Sequence, residues 1–266
     1  MEVHVENVEK SFRQPGSDKE LKVLGPVTLQ VPSGTFVTIV GPSGCGKSTL
    51  LKMLAGFEKL SAGTLSIGGK PVGAPTPTVG MVFQEYALLP WKTAQENIEL
   101  GLKYRGVPPR ERKPIVAQYV ELVGLKGFEV HYPHELSGGM RQRCALARTL
   151  ASDPAVLLMD EPFGALDAQT REVLQEQLLR IWGEAQLQTS RKTVLFVTHS
   201  IDEAILLSDR IVIMTARPGR ILNVFENPLE RPRPSDIKAH GEFARIRQKL
   251  WDQIREETLR AISQGF

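Results

Sequence analysis

Apolar and polar residues alternate in the first part of the chain. Over residues 3–12, apolar residues (Val3, Val5, Val8 and then Phe12) alternate with polar ones, as in a half-buried strand. Other short apolar runs predict strands at residues 27–31, 35–40, 64–67 and 78–83. We therefore expect an amino-terminal sheet in which antiparallel elements flank a central strand at 35–40.

From about residue 86 the spacing of apolar residues becomes helical. Thr93 begins a segment with this pattern, and a second helix is predicted over residues 108–123. Ser137 is the expected N-cap of a third helix, which runs to Ala151. Together these elements predict a helical subdomain inserted at about residues 86–152.

Strand patterns return in the last third of the chain, at residues 156–159 and 193–198, with a helix predicted between them at 168–185. A strand, a helix and a second strand in this order imply parallel strands. Two late strands are predicted at 210–214 and 220–224. With the elements before them, they complete an expected main domain over residues 1–225.

The remaining segment, residues 226–266, begins with a proline-rich linker. In its tail, residues 239–262, apolar residues recur at helical spacing, at Phe243, Ile246 and Leu250 among others. This amphipathic pattern predicts a helix that packs on the chain's own core or on a partner subunit rather than on a membrane.

Composition narrows the class of protein. Of the 266 residues, 41% are hydrophobic and 24% are charged, which is ordinary for a globular protein, and a formal net charge of +3 is too small to indicate nucleic-acid binding. No run approaches the roughly 18 apolar residues that a membrane span needs. The first residues lack the pattern of a signal peptide. The two cysteines, Cys45 and Cys144, have no metal-binding spacing.

A glycine-rich loop follows the predicted strand 35–40 and precedes an apolar, helix-like segment, the order typical of a phosphate-binding loop. Glycines allow backbone N–H groups to converge on phosphate oxygens, Lys47 supplies a positive charge, and Ser48 can ligate Mg²⁺. The candidate nucleotide-binding residues are Gly41, Pro42, Ser43, Gly44, Cys45, Gly46, Lys47, Ser48 and Thr49. A disulfide at Cys45 would obstruct such a ligand, so we expect a reducing cytoplasm.

Two acidic residues, Asp160 and Glu161, directly follow the apolar run 156–159. From the end of a strand, Asp160 can approach the Mg²⁺ that Ser48 ligates, and Glu161 can orient or deprotonate a water for attack on the γ-phosphate. Alone, such a pair more often marks a helix start or the surface. A phosphate loop in the same chain favours the catalytic interpretation.

Other polar features are ambiguous from the residues alone. Ser137 and the glycines after it form either a second anion site at a helix start or a plain capped helix. His199 follows the strand 193–198, where a side chain either faces a ligand crevice or is structural. Gln84 follows the strand 78–83, where it could ligate Mg²⁺ or hold a water.

Taken in order, the motifs resemble those of the nucleotide-binding subunit of ATP-binding cassette (ABC) transporters. The resemblance covers residues 1 to about 225, and its motifs are the phosphate loop, Gln84, LSGGMRQR at 136–143, VLLMDEP at 156–162, GALD at 164–167 and His199. It implies an α/β fold: a P-loop ATPase cassette with a mixed β-sheet core, an antiparallel β subdomain and an inserted α-helical subdomain.

The resemblance also implies residue roles, with ATP and Mg²⁺ as the ligands. Phe12 would stack on adenine, Glu161 would be the general base, and His199 would contact the γ-phosphate. Gln84 would reach both Mg²⁺ and a transmembrane subunit. The implied catalytic residues are Glu161, His199 and Gln84, and the implied Mg²⁺ ligands are Ser48, Gln84 and Asp160.

In similar proteins two copies pack head to tail, and each ATP lies between the phosphate loop of one copy and the signature motif of the other. Asp167 would lie in the loop that links the two sites (the D-loop). The signature residues acting in trans would be Leu136, Ser137, Gly138, Gly139, Met140, Arg141 and Gln142. The resemblance therefore implies an ATP-dependent dimer with two composite sites.

Finer resemblances, at residues 84–91, 216–220 and 231–234, are to bacterial importers of nitrate, taurine and alkanesulfonates. They imply transmembrane permease subunits as partners, an indirect solute-binding protein, a peripheral position at the cytoplasmic face of the membrane, and no nucleic acid. The alternative function is a soluble ABC-type ATPase that acts on nucleic acid or the ribosome. Such proteins usually carry two cassettes or a long coiled-coil insertion, and neither is present.

Overall fold

The computed structural model describes residues 1–13, 16, 19–184 and 191–263. Its strands are β1 (Val3–Arg13), β2 (Glu20–Val31), β3 (Phe36–Val40), β4 (Ala62–Ile67), β5 (Lys70–Pro71), β6 (Val79–Val82), β7 (Val156–Asp160), β8 (Thr193–Val197), β9 (Arg210–Met214) and β10 (Ile221–Glu226). Its α-helices are α1 (Lys47–Leu54), α2 (Ala94–Tyr104), α3 (Pro109–Leu122), α4 (Gly138–Ala151), α5 (Ala168–Glu184), α6 (Ile201–Leu207) and α7 (Gly241–Ser263).

A six-stranded sheet, in the order β10-β9-β3-β8-β7-β6, forms the centre of the fold. β3 is parallel to both of its neighbours, β8 and β9, and β6, β7 and β8 are parallel to one another. Only β10 is antiparallel to its neighbour in this described sheet. The carboxyl ends of the parallel strands meet at one edge, so the residues that follow β3, β6, β7 and β8 lie along it.

The amino-terminal strands form a separate antiparallel sheet, in the order β2-β1-β4-β5. The expectation that antiparallel elements flank the central strand is wrong for β3 itself, whose neighbours are both parallel. The burial patterns give the reason. All of β3 is buried, as in a parallel strand covered on both faces, whereas β1 alternates between buried and exposed positions. Val5 and Leu29 pack with Leu51 of α1 between the two sheets.

Helices α2, α3 and α4 pack on one another around a shared apolar cluster that includes Ile98, Val120 and Leu146. Thr93 forms a capping box at the start of α2. The Oγ of Ser137 accepts a hydrogen bond from the N–H of Met140 at the start of α4, which is the N-cap that the sequence predicted.

The carboxyl-terminal helix α7 packs on the chain's own core. Phe243, Ile246 and Leu250 are buried in a cluster with residues of β9 and α6, so the first of the two alternatives for the amphipathic tail is correct. Helix α6 was not predicted, because it is only one or two turns long. Residue 185 of the predicted helix and residues 264–266 lie outside the described part of the chain.

Within the described residues, no helix has both the length and the apolar content that a bilayer crossing requires.

Candidate functional site

The phosphate loop connects β3 to α1, as the sequence predicted. Gly46 is the N-cap of α1, and its φ of 102° lies in the left-handed region that favours glycine. A Cβ at Gly46 would also lie 2.5 Å from the side chain of Leu24. Ser43 and Gly44 are exposed at the tip of the loop, so its outer part is open to a ligand.

Lys47 lies inside the loop that it would help to charge. Its Nζ donates to the carbonyl oxygens of Gly41 and Pro42 at 2.8 and 2.9 Å, and the residue is buried. These contacts hold the ammonium at the centre of the loop, next to the free N–H groups at the start of α1. The arrangement concentrates positive charge where a phosphate would bind.

The thiol of Cys45 lies beneath the loop, where its Sγ accepts a long hydrogen bond from Nζ of Lys47 at 3.8 Å. The residue is buried in the apolar cluster between the two sheets, and burial raises the pKa of its thiol despite the nearby Lys47 ammonium. The side chain of Cys45 therefore joins the apolar core to the Lys47 ammonium and is not open to a ligand.

Asp160 and Ser48 come together at the carboxyl edge of the sheet. The Oγ of Ser48 donates to Oδ1 of Asp160 at 2.9 Å, although 112 residues separate them in sequence. Asp160 is only 2% exposed, and burial raises the pKa of its carboxyl group, with the charge of Glu161 adding to the effect. A carboxylate held in this way gains from a nearby cation.

These donors fit Mg²⁺, which binds proteins through one or two carboxylates and takes its other ligands from substrate phosphates and water. Among the described residues, no group of three or more histidine, cysteine or acidic side chains could hold a metal alone. The pairing of one buried carboxylate with one hydroxyl suits an ion that arrives with a nucleotide.

Glu161 and His199 form the next layer of this edge. Glu161 has a φ of 47°, an unusual value for a residue with a side chain, and its N–H donates to the carbonyl of Val197 at the end of β8. This conformation turns the carboxylate toward His199, whose Nδ1 lies 3.4 Å from Oε2 of Glu161. The side chain of His199 is exposed, so the pair faces solvent above the sheet edge.

The remaining predicted residues are more dispersed. Gln84 is exposed just after β6, next to the strand that ends in Asp160. Phe12 lies on β1 with the Lys10 ammonium 4.5 Å from its ring centroid. Asp167 caps α5 by accepting from the N–H of Thr170, and this hydrogen bond lowers the pKa of its carboxyl group.

The signature motif forms the start of α4. Ser137 is exposed and caps the helix, while Leu136 and Gln142 are buried. Met140 packs against the helical cluster. Within the described residues, no hydrogen bond joins the predicted signature residues to the phosphate loop of the same chain; those residues are Leu136, Ser137, Gly138, Gly139, Met140, Arg141 and Gln142.

The sequence does not reveal the residues that hold the phosphate loop in place through hydrogen bonds and backbone contacts. The turn between β9 and β10, residues 215–220, lies against this loop, and Nε of Arg217 donates to the carbonyl oxygen of Gly44 at 3.1 Å. In the sequence, this segment is only the connection between two predicted late strands and, at 216–220, part of the finer resemblance to importers. A contact between residues 173 positions apart leaves no local pattern that could have revealed it.

Comparisons with known proteins identify the family. The sequence model of the family described as ABC transporter matches residues 24–164, more than half of the chain. The chain belongs to the ABC transporter family. It is an ATP-binding ATPase subunit, referred to below as the cassette.

The cassette is 48% identical to the aliphatic sulfonates import ATP-binding protein SsuB of Bacillus cereus, over 96% of this chain and 96% of that protein. It is 47% identical to an uncharacterised ABC transporter ATP-binding protein of Methanocaldococcus jannaschii, over 98% of this chain and 94% of that protein. These similarities confirm the predicted family and its sulfonate-importer branch.

Among solved structures, the cassette is similar to a dimeric, post-hydrolysis state of the ATP-binding cassette MJ0796 bound to ADP and Pi. The TM-score is 0.77 with 31% sequence identity, and the match covers 86% of this chain and all of that one. The predicted α/β fold of an ABC cassette, with a mixed sheet and helices, is confirmed.

Proposed function

We propose that the cassette hydrolyses ATP at the sheet edge formed by the phosphate loop, Asp160, Glu161 and His199. The observation that carries this proposal is the convergence of Ser48, Asp160 and Glu161 at the end of β7, beside the Lys47 ammonium. Each group is of the type that phosphoryl transfer requires: a cation for the phosphates, oxygen ligands for Mg²⁺ and a carboxylate base.

Lys47 and the N–H groups at the start of α1 bind the β- and γ-phosphates. Ser48 and Asp160 hold Mg²⁺, with Gln84 as a further ligand supplied by the loop after β6. When bound, the ion neutralises charge on the phosphate oxygens. Phe12 lies at the exposed end of β1, where it stacks on adenine.

Glu161 acts as the general base. Its carboxylate accepts a proton from the water whose oxygen attacks the γ-phosphorus, while the bond from the γ-phosphorus to the bridging oxygen breaks and ADP leaves with that oxygen. His199, 3.4 Å from the Glu161 carboxylate, holds this side chain and contacts the γ-phosphate. The products are ADP and inorganic phosphate.

The site is half of a composite site. The start of α4 offers free N–H groups and lies apart from the phosphate loop of its own chain, which suits an anion site that serves a second copy. Asp167 caps α5 and lies a few residues after Glu161. It is therefore placed in the loop that would link the two halves of the composite site. The neighbour of the same fold is dimeric and bound to ADP and Pi, which supports a dimer of the cassette. We infer that its two copies pack head to tail and form two such sites.

ATP binding closes this dimer and hydrolysis loosens it, so that attached permease subunits are driven between two states. The similarity to SsuB over nearly the whole chain supports a bacterial importer of aliphatic sulfonates, with nitrate and taurine as related alternatives. The cassette then lies at the cytoplasmic face of the membrane, bound to permeases that receive solute from a separate binding protein.

Two measurements test this function. The purified chain should hydrolyse ATP only with Mg²⁺, and Lys47→Ala should abolish that activity; equal activity of the variant would remove the phosphate loop from the site. In cells, deleting the gene should stop uptake of radiolabelled ethanesulfonate, with rescue by wild type and not by Glu161→Gln. Unchanged uptake of sulfonate, taurine and nitrate, together with binding of the cassette to ribosomes or DNA, would favour the alternative function.

A further inference from the structure

A carboxylate outside the nucleotide site is buried at the far end of α7. Glu257 is 3% exposed, and its Oε2 accepts a hydrogen bond from the N–H of Ala216 at 3.0 Å. Its Oε1 forms an ion pair with Arg260, whose side chain is 62% exposed. Burying a carboxylate is costly unless it is hydrogen-bonded. The contact with Ala216 therefore fixes where this end of α7 meets the rest of the cassette.

The other end of α7 is anchored on the strand that leads into the phosphate loop. Phe243 and Leu250 are fully buried in a cluster that contains Val40, the last residue of β3, and Ile213 of β9. Because Val40 directly precedes Gly41, the docked position of α7 is tied to the start of the phosphate loop.

The turn at residues 215–220, which Glu257 holds through Ala216, touches the phosphate loop at two places. Nε of Arg217 donates to the carbonyl oxygen of Gly44 at 3.1 Å. At Gly219, an added Cβ would lie 1.9 Å from the carbonyl oxygen of Cys45, so the two backbones are in close contact. The turn and the loop therefore cannot move independently.

These contacts fix the direction of backbone N–H groups. In a trans peptide the N–H points away from the carbonyl of the same unit. Since the carbonyl of Cys45 is held toward the 215–220 turn, the N–H of Gly46 faces the opposite, phosphate-binding side. The N–H of Cys45 donates inside the loop to the carbonyl of Pro42 at 3.4 Å, so the donors to a phosphate are those of Gly46 and the first residues of α1. Convergent N–H groups of this kind are what a phosphate loop offers to its ligand.

We propose that Glu257 is a positioning residue for nucleotide binding, which holds the 215–220 turn against the phosphate loop so that docked α7 increases affinity for the diphosphate common to ATP and ADP. The inference rests on the proposed function, because it takes Gly41–Thr49 as the phosphate site. It adds a role for the carboxyl-terminal helix, which lies beyond the motifs of the ATPase.

The test measures ADP binding and the steady-state ATPase of the full chain. Glu257→Leu removes the acceptor for the Ala216 N–H, and we expect the Kd for ADP and the KM for ATP to rise about three- to tenfold, with kcat within about twofold. Glu257→Gln keeps an acceptor oxygen and should restore near wild-type values. Glu256→Gln, at the exposed neighbouring position, is the matched control and should leave both constants unchanged.

A second variant tests the contact between the 215–220 turn and the phosphate loop. Arg217→Gln removes the donor to Gly44 without altering α7, and it should weaken ADP binding in the same way. If both residues act through one turn, the double variant with Glu257→Leu should bind ADP no more weakly than the worse single variant. Additive effects would contradict a shared route and overturn the inference.

If the leucine variant does not fold, Glu257→Asp, which retracts the carboxylate by one methylene, takes its place. A fall in melting temperature with unchanged ADP affinity in either variant would mean that Glu257 is only structural and would overturn the inference. Failure of the wild type to bind ADP, or equal binding by Lys47→Ala, would contradict the proposed function instead, so the two failures are distinguishable.

Discussion

The phosphate loop and the start of α4 are both helix N-termini with glycines, yet the chain equips them differently. At the phosphate loop, the Lys47 ammonium is buried against two carbonyls, and Ser48 is hydrogen-bonded to the buried Asp160. At the start of α4, the side chain of Ser137 caps its own helix, and the guanidinium of Arg141 donates to the carbonyls of Pro133 and Leu136.

This difference predicts different roles for the two helix N-termini. The phosphate loop has a charge, a hydroxyl and a carboxylate in fixed positions, so we expect a single chain to bind a nucleoside diphosphate. At the start of α4, the side chains of Ser137 and Arg141 form hydrogen bonds with their own loop and helix. Only backbone N–H groups are left there to bind a ligand. In the proposed dimer, such an end would complete a site on another copy rather than form one alone.

The largest effect is expected from Glu161→Gln, which removes the proposed base and leaves the phosphate loop and the start of α4 intact. Because general base catalysis contributes about 10²- to 10⁴-fold, we expect kcat to fall within that range. ATP binding should persist, so the unhydrolysed nucleotide should trap a dimer that size-exclusion chromatography detects. Glu121→Gln, at an exposed position on α3, is the matched control.

Either of two outcomes would contradict this prediction. Undiminished turnover would remove Glu161 from the role of base. If the variant binds ATP without turnover but remains monomeric at all protein concentrations, Glu161 keeps the role of base, and the composite site between two copies is contradicted.

Ser137→Arg should act at the other end alone. A bulky cation at the start of α4 blocks approach to the nucleotide of a second copy, so ATPase activity should fall by at least about tenfold and the dimer should be lost. ADP binding to the monomer should match wild type, because the phosphate loop is separate. Ser137→Ala is the control: it loses the cap, at about 1 kcal/mol of stability, without adding bulk.

A result in which Ser137→Arg weakens ADP binding by the monomer would break the comparison, because it would mean that both ends serve the same site in one chain. Normal ATPase activity of this variant at every protein concentration would contradict the composite site. Titrating protein concentration therefore separates a role within one chain from a role in the partner.

The parts of the site that could be predicted are those whose residues are close together in the sequence or mark the end of a strand. The phosphate loop is contiguous, and its glycines, Lys47 and Ser48 carry its chemistry at fixed spacing. Asp160 and Glu161 were found because an apolar run ends at them, and a parallel sheet brings such ends together. Periodicity also predicted the strand–helix–strand order and its parallel strands, whereas the cassette fold was implied by the resemblance of the motifs.

The contacts that hold the loop could not be predicted. The hydrogen bond from Arg217 to Gly44 and the one from Ala216 to Glu257 join residues that are 173 and 41 positions apart. Neither changes the local alternation of apolar and polar residues. Glu257 lies seven residues after Leu250, on the buried face of α7, but nothing in the sequence identifies its partner, the N–H of Ala216.

Asp160→Asn, measured without ligand, should change the stability of the fold with the opposite sign to most substitutions. Burial raises the pKa of Asp160, so its ionised form disfavours the folded state, and the free energy of unfolding decreases as the pH rises from the ordinary aspartate range through the raised pKa. Asparagine keeps an oxygen for Ser48 and carries no charge. In the absence of Mg²⁺ and nucleotide, the variant should therefore be more stable above that range, by up to about 2 kcal/mol.

Urea unfolding of both proteins across this pH range measures the difference, and it should vanish at low pH, where the wild-type carboxyl is protonated in both states. Mg²⁺ with ADP should reverse the order, since only the carboxylate gains from the cation. This reversal would show that the buried Asp160 carboxylate destabilises the fold until a cation binds beside the phosphate loop. A destabilised Asn variant without ligand would mean that the Asp160 charge is already compensated by Lys47 and Ser48, and would remove the energetic contrast between the two ends.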